Sequence, residues 1–293
     1  MPRWLVLLLL PAGLTAQQSI HLPATGIRTG AFQDPRIDES SGVALSSFMP
    51  RVLYTLNDSG NDASLFAIDS SGQSLGTWRI PGLLNRDWEA LSRGPCPAGS
   101  CLYIGDVGDN LEQRPTVVLY RLREPASLAR FQGASDSTPL DLDSLTFRYL
   151  DGAHDVEALW IDQDGRPNLI TKGRNGPITM FRLPADGFGS NQILTAIPVQ
   201  ELPLRPDHGL GRWVTDAALA PDGRRVAIRT YAEVYVFPLF PTGRLGPPVA
   251  CHAAGYGPQG EGIVWLDQTR LLLTSERPSG TPPAPIYVVT CDG

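Results

Sequence analysis

Short apolar runs, each closed by a polar or glycine-bearing turn, recur along the whole chain. Nowhere do apolar residues keep the helical spacing of about 3.6 long enough to predict a long amphipathic helix. Each unit opens alike, with an oxygen-bearing residue, a small residue and then an apolar run. The pattern stands at Ser41-Gly42-Val43, Glu89-Ala90-Leu91, Glu157-Ala158-Leu159, Asp216-Ala217-Ala218 and Glu261-Gly262-Ile263. Its intervals of 48, 68, 59 and 45 residues lie near the period of propeller blades. Behind each pattern a second strand, a polar loop and a third strand are expected, at 52–56 and 65–68, 102–104 and 117–122, 168–171 and 178–183, 225–228 and 234–238, and 270–274 and 286–290. Outer strands are expected at 74–80, 144–149, 197–204 and 249–253. The last unit has no outer strand of its own, and 20–29 supplies it. The expected fold is all-β, a five-bladed β-propeller closed by the N-terminal strand. Six blades is the alternative if 126–142 contains further strands.

A propeller turns the first members of the five patterns toward one channel. Ser41, Glu89, Glu157, Asp216 and Glu261 form the expected ring, with Glu39, Asp87, Asp155 and Gln259 two residues earlier as a second tier. Carboxylates about 6 Å apart repel by roughly 3 kcal/mol per pair at an effective dielectric of about 20. Irregular sets of carboxylate and hydroxyl oxygens suit calcium, so Ca2+ is the expected ion. A solvated ring, or one bonded to backbone amides, is the alternative. The loops between second and third strands reach the same end of the channel. They bring Asn57, Asp58, Asp106, Asp109, Lys172, Arg174, Arg229, Tyr231, Glu276 and Arg277 to its mouth. Asp58 and Asp106 are the candidate bases. Asn57, Lys172, Arg174, Arg229 and Arg277 are the candidate substrate contacts, the cations as an anion clamp. His154 and His208 precede inner strands and are weaker candidates for bases.

Charge narrows the function. The formal net charge is -6 and no basic stripe exists, which sets nucleic acid aside as a partner. No Gly-x-Ser-x-Gly elbow and no metalloprotease histidine pair occurs. Thirty glycines and 27 prolines, scattered rather than clustered, fit a repeat protein with many turns.

The N-terminus reads as a signal peptide over 1–16: a basic start at Arg3, an uninterrupted apolar stretch over 4–10 and small residues to Ala16. Residues 17–293 are then a single propeller domain, secreted or periplasmic, with no transmembrane segment in the mature chain and expected to be monomeric. Export permits disulfides. Cys96 and Cys101 flank a Pro-Ala-Gly-Ser turn, and their pairing leaves Cys251 with Cys291. The spacing matches no familiar zinc knuckle.

The order Ser, Glu, Glu, Asp, Glu on successive inner strands resembles the calcium-activated nucleotidases, or apyrases. Leu53-Tyr54-Thr55-Leu56-Asn57-Asp58-Ser59-Gly60 is similar to that family's first-blade segment, and Leu102-Tyr103-Ile104-Gly105 to its second. The resemblance implies a five-bladed propeller with calcium held by Ser41, Glu89, Glu157, Asp216 and Glu261, and a substrate-side acid at Asp58. Asp216 stands where that family tends to have serine. Uncharacterised secreted bacterial propellers and phytase-like or esterase-like propellers share parts of the pattern. The expected function is metal-dependent hydrolysis of a phosphorylated or otherwise anionic small substrate at the mouth. The alternatives are a non-catalytic extracellular or envelope binding module with a structural ion, and a lactonase-like or esterase-like enzyme.

Overall fold

A computed structural model describes residues 20–133, 141–204, 210–253, 255–279 and 281–291. The expected signal peptide and His208 lie outside the described residues. Twenty strands are described, and there is no α-helix among these residues. No helix there is long and apolar enough to cross a membrane. After β1 (Ile20–Ala31), the strand pairings resolve into antiparallel sets of four. The first is β2 (Ser40–Leu45), β3 (Leu53–Asn57), β4 (Ser64–Ile68) and β5 (Ser74–Arg79). The second is β6 (Trp88–Cys96), β7 (Gly99–Asp106), β8 (Val117–Arg123) and β9 (Leu142–Tyr149). The third is β10 (Val156–Ile161), β11 (Pro167–Thr171), β12 (Thr179–Arg182) and β13 (Leu194–Glu201). The fourth is β14 (Val214–Leu219), β15 (Arg225–Thr230), β16 (Glu233–Pro238) and β17 (Val249–His252). The last comprises β18 (Gln259–Trp265), β19 (Arg270–Glu276) and β20 (Pro285–Cys291), completed by β1. Between Ala126 and Leu142 the described residues hold a 3-10 turn at Ala129–Gln132 and the first residue of β9; residues 134–140 lie outside the description.

The inner strands β2, β6, β10, β14 and β18 touch in that order, and β18 touches β2, so the array closes on itself as a β-propeller. Apolar side chains of the four-stranded sets fill the clefts between neighbours, with Trp88 and Trp160 on inner strands and Phe147 and Phe181 on β9 and β12 among the largest fully buried side chains. Trp88 packs with the first and second sets, and Trp160 with the third and fourth.

The closure lies between the fourth and last sets. Residues 20–23 of β1 run parallel to β17, and 24–31 run antiparallel to β20. Cys251 on β17 and Cys291 on β20 flank β1 and form a disulfide, and Cys96 and Cys101 form a second one across the β6–β7 hairpin. Both pairings point to an oxidising compartment. Changing Cys251 and Cys291 to serine releases a link across 40 residues and is expected to lower unfolding stability by about 2–4 kcal/mol. Denaturant titration of the double-serine variant checks this, and an unchanged midpoint would show that strand pairing alone holds the closure.

Candidate metal centre

A β-bulge repeats in every inner strand, and it builds the site. Pairing of β2 with β3 skips Ser41; the equivalent ladders skip Glu89 in β6, Glu157 in β10, Thr215 in β14, and Glu261 with Gly262 in β18. A bulge leaves its extra residue outside the ladder and re-aims the side chain. Ser41 Oγ donates to Glu89 Oε2 at 2.9 Å and to the Glu89 carbonyl at 3.0 Å. Thr215 Oγ1 donates to the Glu261 carbonyl at 3.1 Å, the same contact between the fourth and last sets. Glu89, Glu157 and Glu261 are all buried, at 4%, 1% and 3% exposure. Burial raises the carboxyl of each. Glu157 then adds to the shift of Glu89, and Glu276 followed by Glu157 to that of Glu261.

The ring is therefore Ser41, Glu89, Glu157, Thr215 and Glu261. Asp216, expected as its fourth member, is displaced by one residue, and a one-residue step along a strand reverses the face. Its Oδ2 accepts the Ile263 amide at 2.8 Å and its Oδ1 the Ala217 amide at 2.8 Å. Arg229, placed at the mouth by sequence, is paired with Asp216 in the β14–β15 ladder and is 1% exposed. It donates to the carbonyls of Gly262 at 2.7 Å, Thr274 at 2.5 Å and Tyr256 at 3.1 Å. Burial lowers the Arg229 guanidinium to about 10, with Glu261 and Asp216 opposing. A side chain at Gly260 would put its Cβ 2.4 Å from Arg229 Nη2, so glycine there makes room for the guanidinium. Asp216 and Arg229 thus join the fourth and last sets through buried hydrogen bonds.

A second circle stands one step beyond the partner of the residue preceding each bulge: Asp58, Val107, Lys172, Tyr231 and Glu276. Asp58, Asp87 and Glu89 bring one carboxylate oxygen each within 4.8 Å of one another. Asp58 and Asp87 are half-buried, so the group opens at the mouth above buried Glu89. A side chain at Gly108 would place its Cβ 2.6 Å from Asp87 Cγ and 2.7 Å from Glu89 Cγ, so the backbone there closes one wall of the site. Burial pushes the Asp87 carboxyl up to about 6, with Asp58 adding to it and Arg114 opposing. Burial likewise pushes Glu276 up to about 7, with Asp58 and Glu39 adding. Three hard carboxylate oxygens whose mutual repulsion is unrelieved are a donor set that fits a hard divalent cation.

The remaining expected residues are dispersed. Lys172 Nζ lies 2.5 Å from Glu157 Oε1, both side chains buried. Burial alone would lower the Lys172 ammonium, but Glu157 beside it and Glu89 raise it instead. Asp106, a candidate base, is 3% exposed and bound to Arg114 Nη2 at 2.6 Å, which occupies it. Asn57 is 3% exposed and donates to the Arg36 carbonyl at 2.6 Å, beneath the mouth instead of on it. Asp109 accepts the Arg114 amide at 2.6 Å in a turn. Arg174 lies 3.8 Å from Asp155 Oδ2 and over the Trp213 ring at 4.6 Å, and Arg277 lies 3.9 Å from Asp38. Of the expected clamp, Lys172 and Arg229 are therefore engaged by the protein itself. His154 bonds Asp151 at 2.9 Å and packs on Tyr149 and Phe181, away from the ring. The opposite end of the channel opens into a cavity of about 190 Å3 lined largely by apolar residues such as Val43, Leu91, Ala217, Val264 and Trp265. Among the described residues, acid clustering is thus a property of one mouth.

Asp87, expected in a second tier, stands with Asp58 and Glu89 in the carboxylate group, and Thr215 and Arg114 were not among the expected residues. Asp87 was signalled by its place two residues before Glu89, and Thr215 by a hydroxyl one residue before Asp216. Arg114 had no local signal, since it acts on Asp106 only after the loop beyond β7 folds back.

Of the raised carboxyls, the two half-buried ones at the mouth, Asp87 and Glu276, set a pH dependence. In the unfolded chain Asp and Glu ionise near pH 4, whereas the fold keeps Asp87 and Glu276 protonated up to about 6 and 7. Between those limits the folded state binds more protons, so stability present below about pH 4 is lost as pH rises through 6 to 7. In chelator, raising pH from 5 to 8 is expected to lower stability by roughly 1–2 kcal/mol, after allowance for solvent screening. Thermal melts across that range check it, and a flat profile would contradict it.

No protein-family model matches the chain, and no curated protein matches it in sequence. In fold it is similar to the PQQ-bound aldose sugar dehydrogenase from Streptomyces coelicolor, with TM-score 0.51, 12% identity, and 91% of this chain and 99% of that chain covered. A streptogramin B lyase aligns with TM-score 0.43 and 10% identity, covering 88% of this chain and 74% of that chain. At its identity the dehydrogenase likeness concerns the β-propeller fold alone.

Proposed function

We propose that this chain is an exported, calcium-binding propeller that hydrolyses a small ester at the acidic mouth of its channel. The observation that carries the reading is the convergence of Asp58, Asp87 and Glu89 within 4.8 Å. Two of these carboxylates are reachable from solvent. Calcium suits the set better than magnesium, because it accepts irregular carboxylate coordination. The resemblance of the inner-strand order to calcium-activated nucleotidases supports an ion in the same channel. When bound, the ion would polarise an ester oxygen and favour ionisation of water. Asp58, Asp87 and Glu89 would hold it, with the Ser41 hydroxyl fixing the Glu89 carboxylate. Glu276, with its carboxyl pushed up to about 7 by burial, is suited to accept a proton near neutral pH.

The electrostatics favour an uncharged ester or lactone over a polyphosphate. Lys172 is paired with Glu157 and Arg229 lies between strand sets, so the expected anion clamp has lost two of its members. Glu39, Asp58, Asp87 and Glu276 remain around the mouth and repel an anion. A panel of lactones, aryl esters, phosphate esters and nucleotides, assayed with calcium and with chelator, tests the proposal. Chelator-sensitive turnover of lactones or aryl esters is expected. Turnover confined to phosphorylated compounds would overturn the substrate class.

A second reading has one observation in its favour. Asp58 follows β3 of the first set, whereas Asp87 and Glu89 belong to the approach and start of the second. A bound ion would therefore link two neighbouring sets in a purely structural role. Calcium-dependent melting without turnover of any compound in the panel would favour it.

A further inference from the structure

We propose that Lys172 is a built-in substitute for a second metal ion: its ammonium occupies the half of the acidic ring that the Asp58–Asp87–Glu89 centre leaves uncompensated. The inference rests on the proposed centre only for the identity of the first ion.

The geometry is specific. Lys172 Nζ sits 2.5 Å from Glu157 Oε1, about the distance at which calcium holds a carboxylate oxygen. The two side chains are 7% and 2% exposed. The ammonium is in the electrostatic reach of Glu89 and Tyr231, and it acts in turn on Glu261 and Glu276. Lys172 thus touches Glu157 and stands in the field of the other buried glutamates, the electrostatic place of a central cation. In the register of the strands it stands in the same circle as Asp58, which belongs to the first centre, and Glu276.

The choice of residue supports the same conclusion. Lysine and arginine together number 24, and Lys172 is the only lysine. Even the buried cations Arg114 and Arg229 are arginines, and each spreads its guanidinium over separate carbonyl or carboxylate oxygens. A guanidinium is a planar fork, whereas an ammonium is a compact point charge with three donors. Only the ammonium imitates an ion among carboxylates converging from different directions. The chain therefore departs from arginine at the one position where a metal-like charge is required. Lys172 in this way confines the proposed divalent ion to the side of the channel formed by the first two strand sets.

The test counts ions. Wild type and Lys172→Met are dialysed against calcium, and bound metal per chain is measured by elemental analysis and by calorimetric stoichiometry. Wild type is expected to hold one equivalent and Lys172→Met two, the second lodged between Glu157 and Glu261. Equal stoichiometry in the two proteins overturns the proposal, even with the first centre intact. No ion in wild type but one in Lys172→Met removes the first centre and sustains the role of Lys172; none in either removes both. If Lys172→Met folds only in calcium, that rescue also supports the proposal, and failure to fold with or without calcium counts against it. The double variant Lys172→Met with Glu157→Gln, which deletes both members of the pair, should return to one equivalent; two equivalents there would overturn the assignment of the second ion to Glu157.

Discussion

Asp87→Asn combined with Glu89→Gln is expected to reduce calcium affinity at least about a hundredfold and to abolish the ion's effect on melting. The three oxygens within 4.8 Å of one another owe their attraction for a cation to charge, and the amides keep size and hydrogen-bonding capacity while removing two of three charges. Loss of a ligand is more damaging than loss of an outer support, which itself costs about 10–100-fold. At a hundredfold excess over its dissociation constant the ion stabilises wild type by about 2.7 kcal/mol, and the double variant should lack this increment. The same substitution relieves the repulsion in chelated protein, so its melting without calcium should equal or exceed that of chelated wild type above pH 7. Calorimetric titration and paired thermal melts measure both effects. A calcium-dependent shift of wild-type size in the variant would remove Asp87 and Glu89 from the centre. Single Asp58→Asn, at a half-exposed position, should weaken binding with little change in the chelated protein.

The second large effect is structural. Asp216→Ala is expected to destabilise the fold by about 3–5 kcal/mol, because it leaves the buried amides of Ile263 and Ala217 without their acceptor and removes a negative neighbour of buried Arg229. Each orphaned buried donor costs about 1–3 kcal/mol. Asp216→Asn keeps an acceptor oxygen and should recover part of the loss. Denaturant unfolding measures the change. Calcium affinity in Asp216→Asn is expected to remain within about threefold of wild type, since Asp216 has left the ring. A large loss of binding together with unchanged stability would instead return Asp216 to the metal ligands.

The recurrence of an oxygen-bearing residue, a small residue and an apolar run falls on the inner strands β2, β6, β10, β14 and β18, and the missing outer strand pointed to the N-terminus, where β1 pairs with β20. Glu89, Glu157 and Glu261 were legible as ring positions because each opens the repeated pattern ahead of a small residue, whereas the bulges that aim them became visible only in the strand pairing. The fourth repeat misled for a physical reason. Asp216 is also followed by a small residue, but the ladder skips Thr215, and Asp216 takes the place held by Gly42, Ala90 and Ala158 elsewhere. The contact of Thr215 with the Glu261 carbonyl repeats what the Ser41 hydroxyl does at Glu89.

Sequence by itself determined the all-β repeat, its closure, the pairing of the cysteines and the presence of acids at one end of the channel. Those features follow from local turn chemistry, alternation and spacing, which any strand carries in its own residues. Only the tertiary structure decided which charges meet. It set Asp58 against Asp87 and Glu89, gave Lys172 to Glu157, and drew Arg229 and Asp106 away to internal partners. That division has a single cause. Bulge register and loop folding move a side chain from one face to another by one residue, and a buried charge goes to whichever partner compensates its lost hydration.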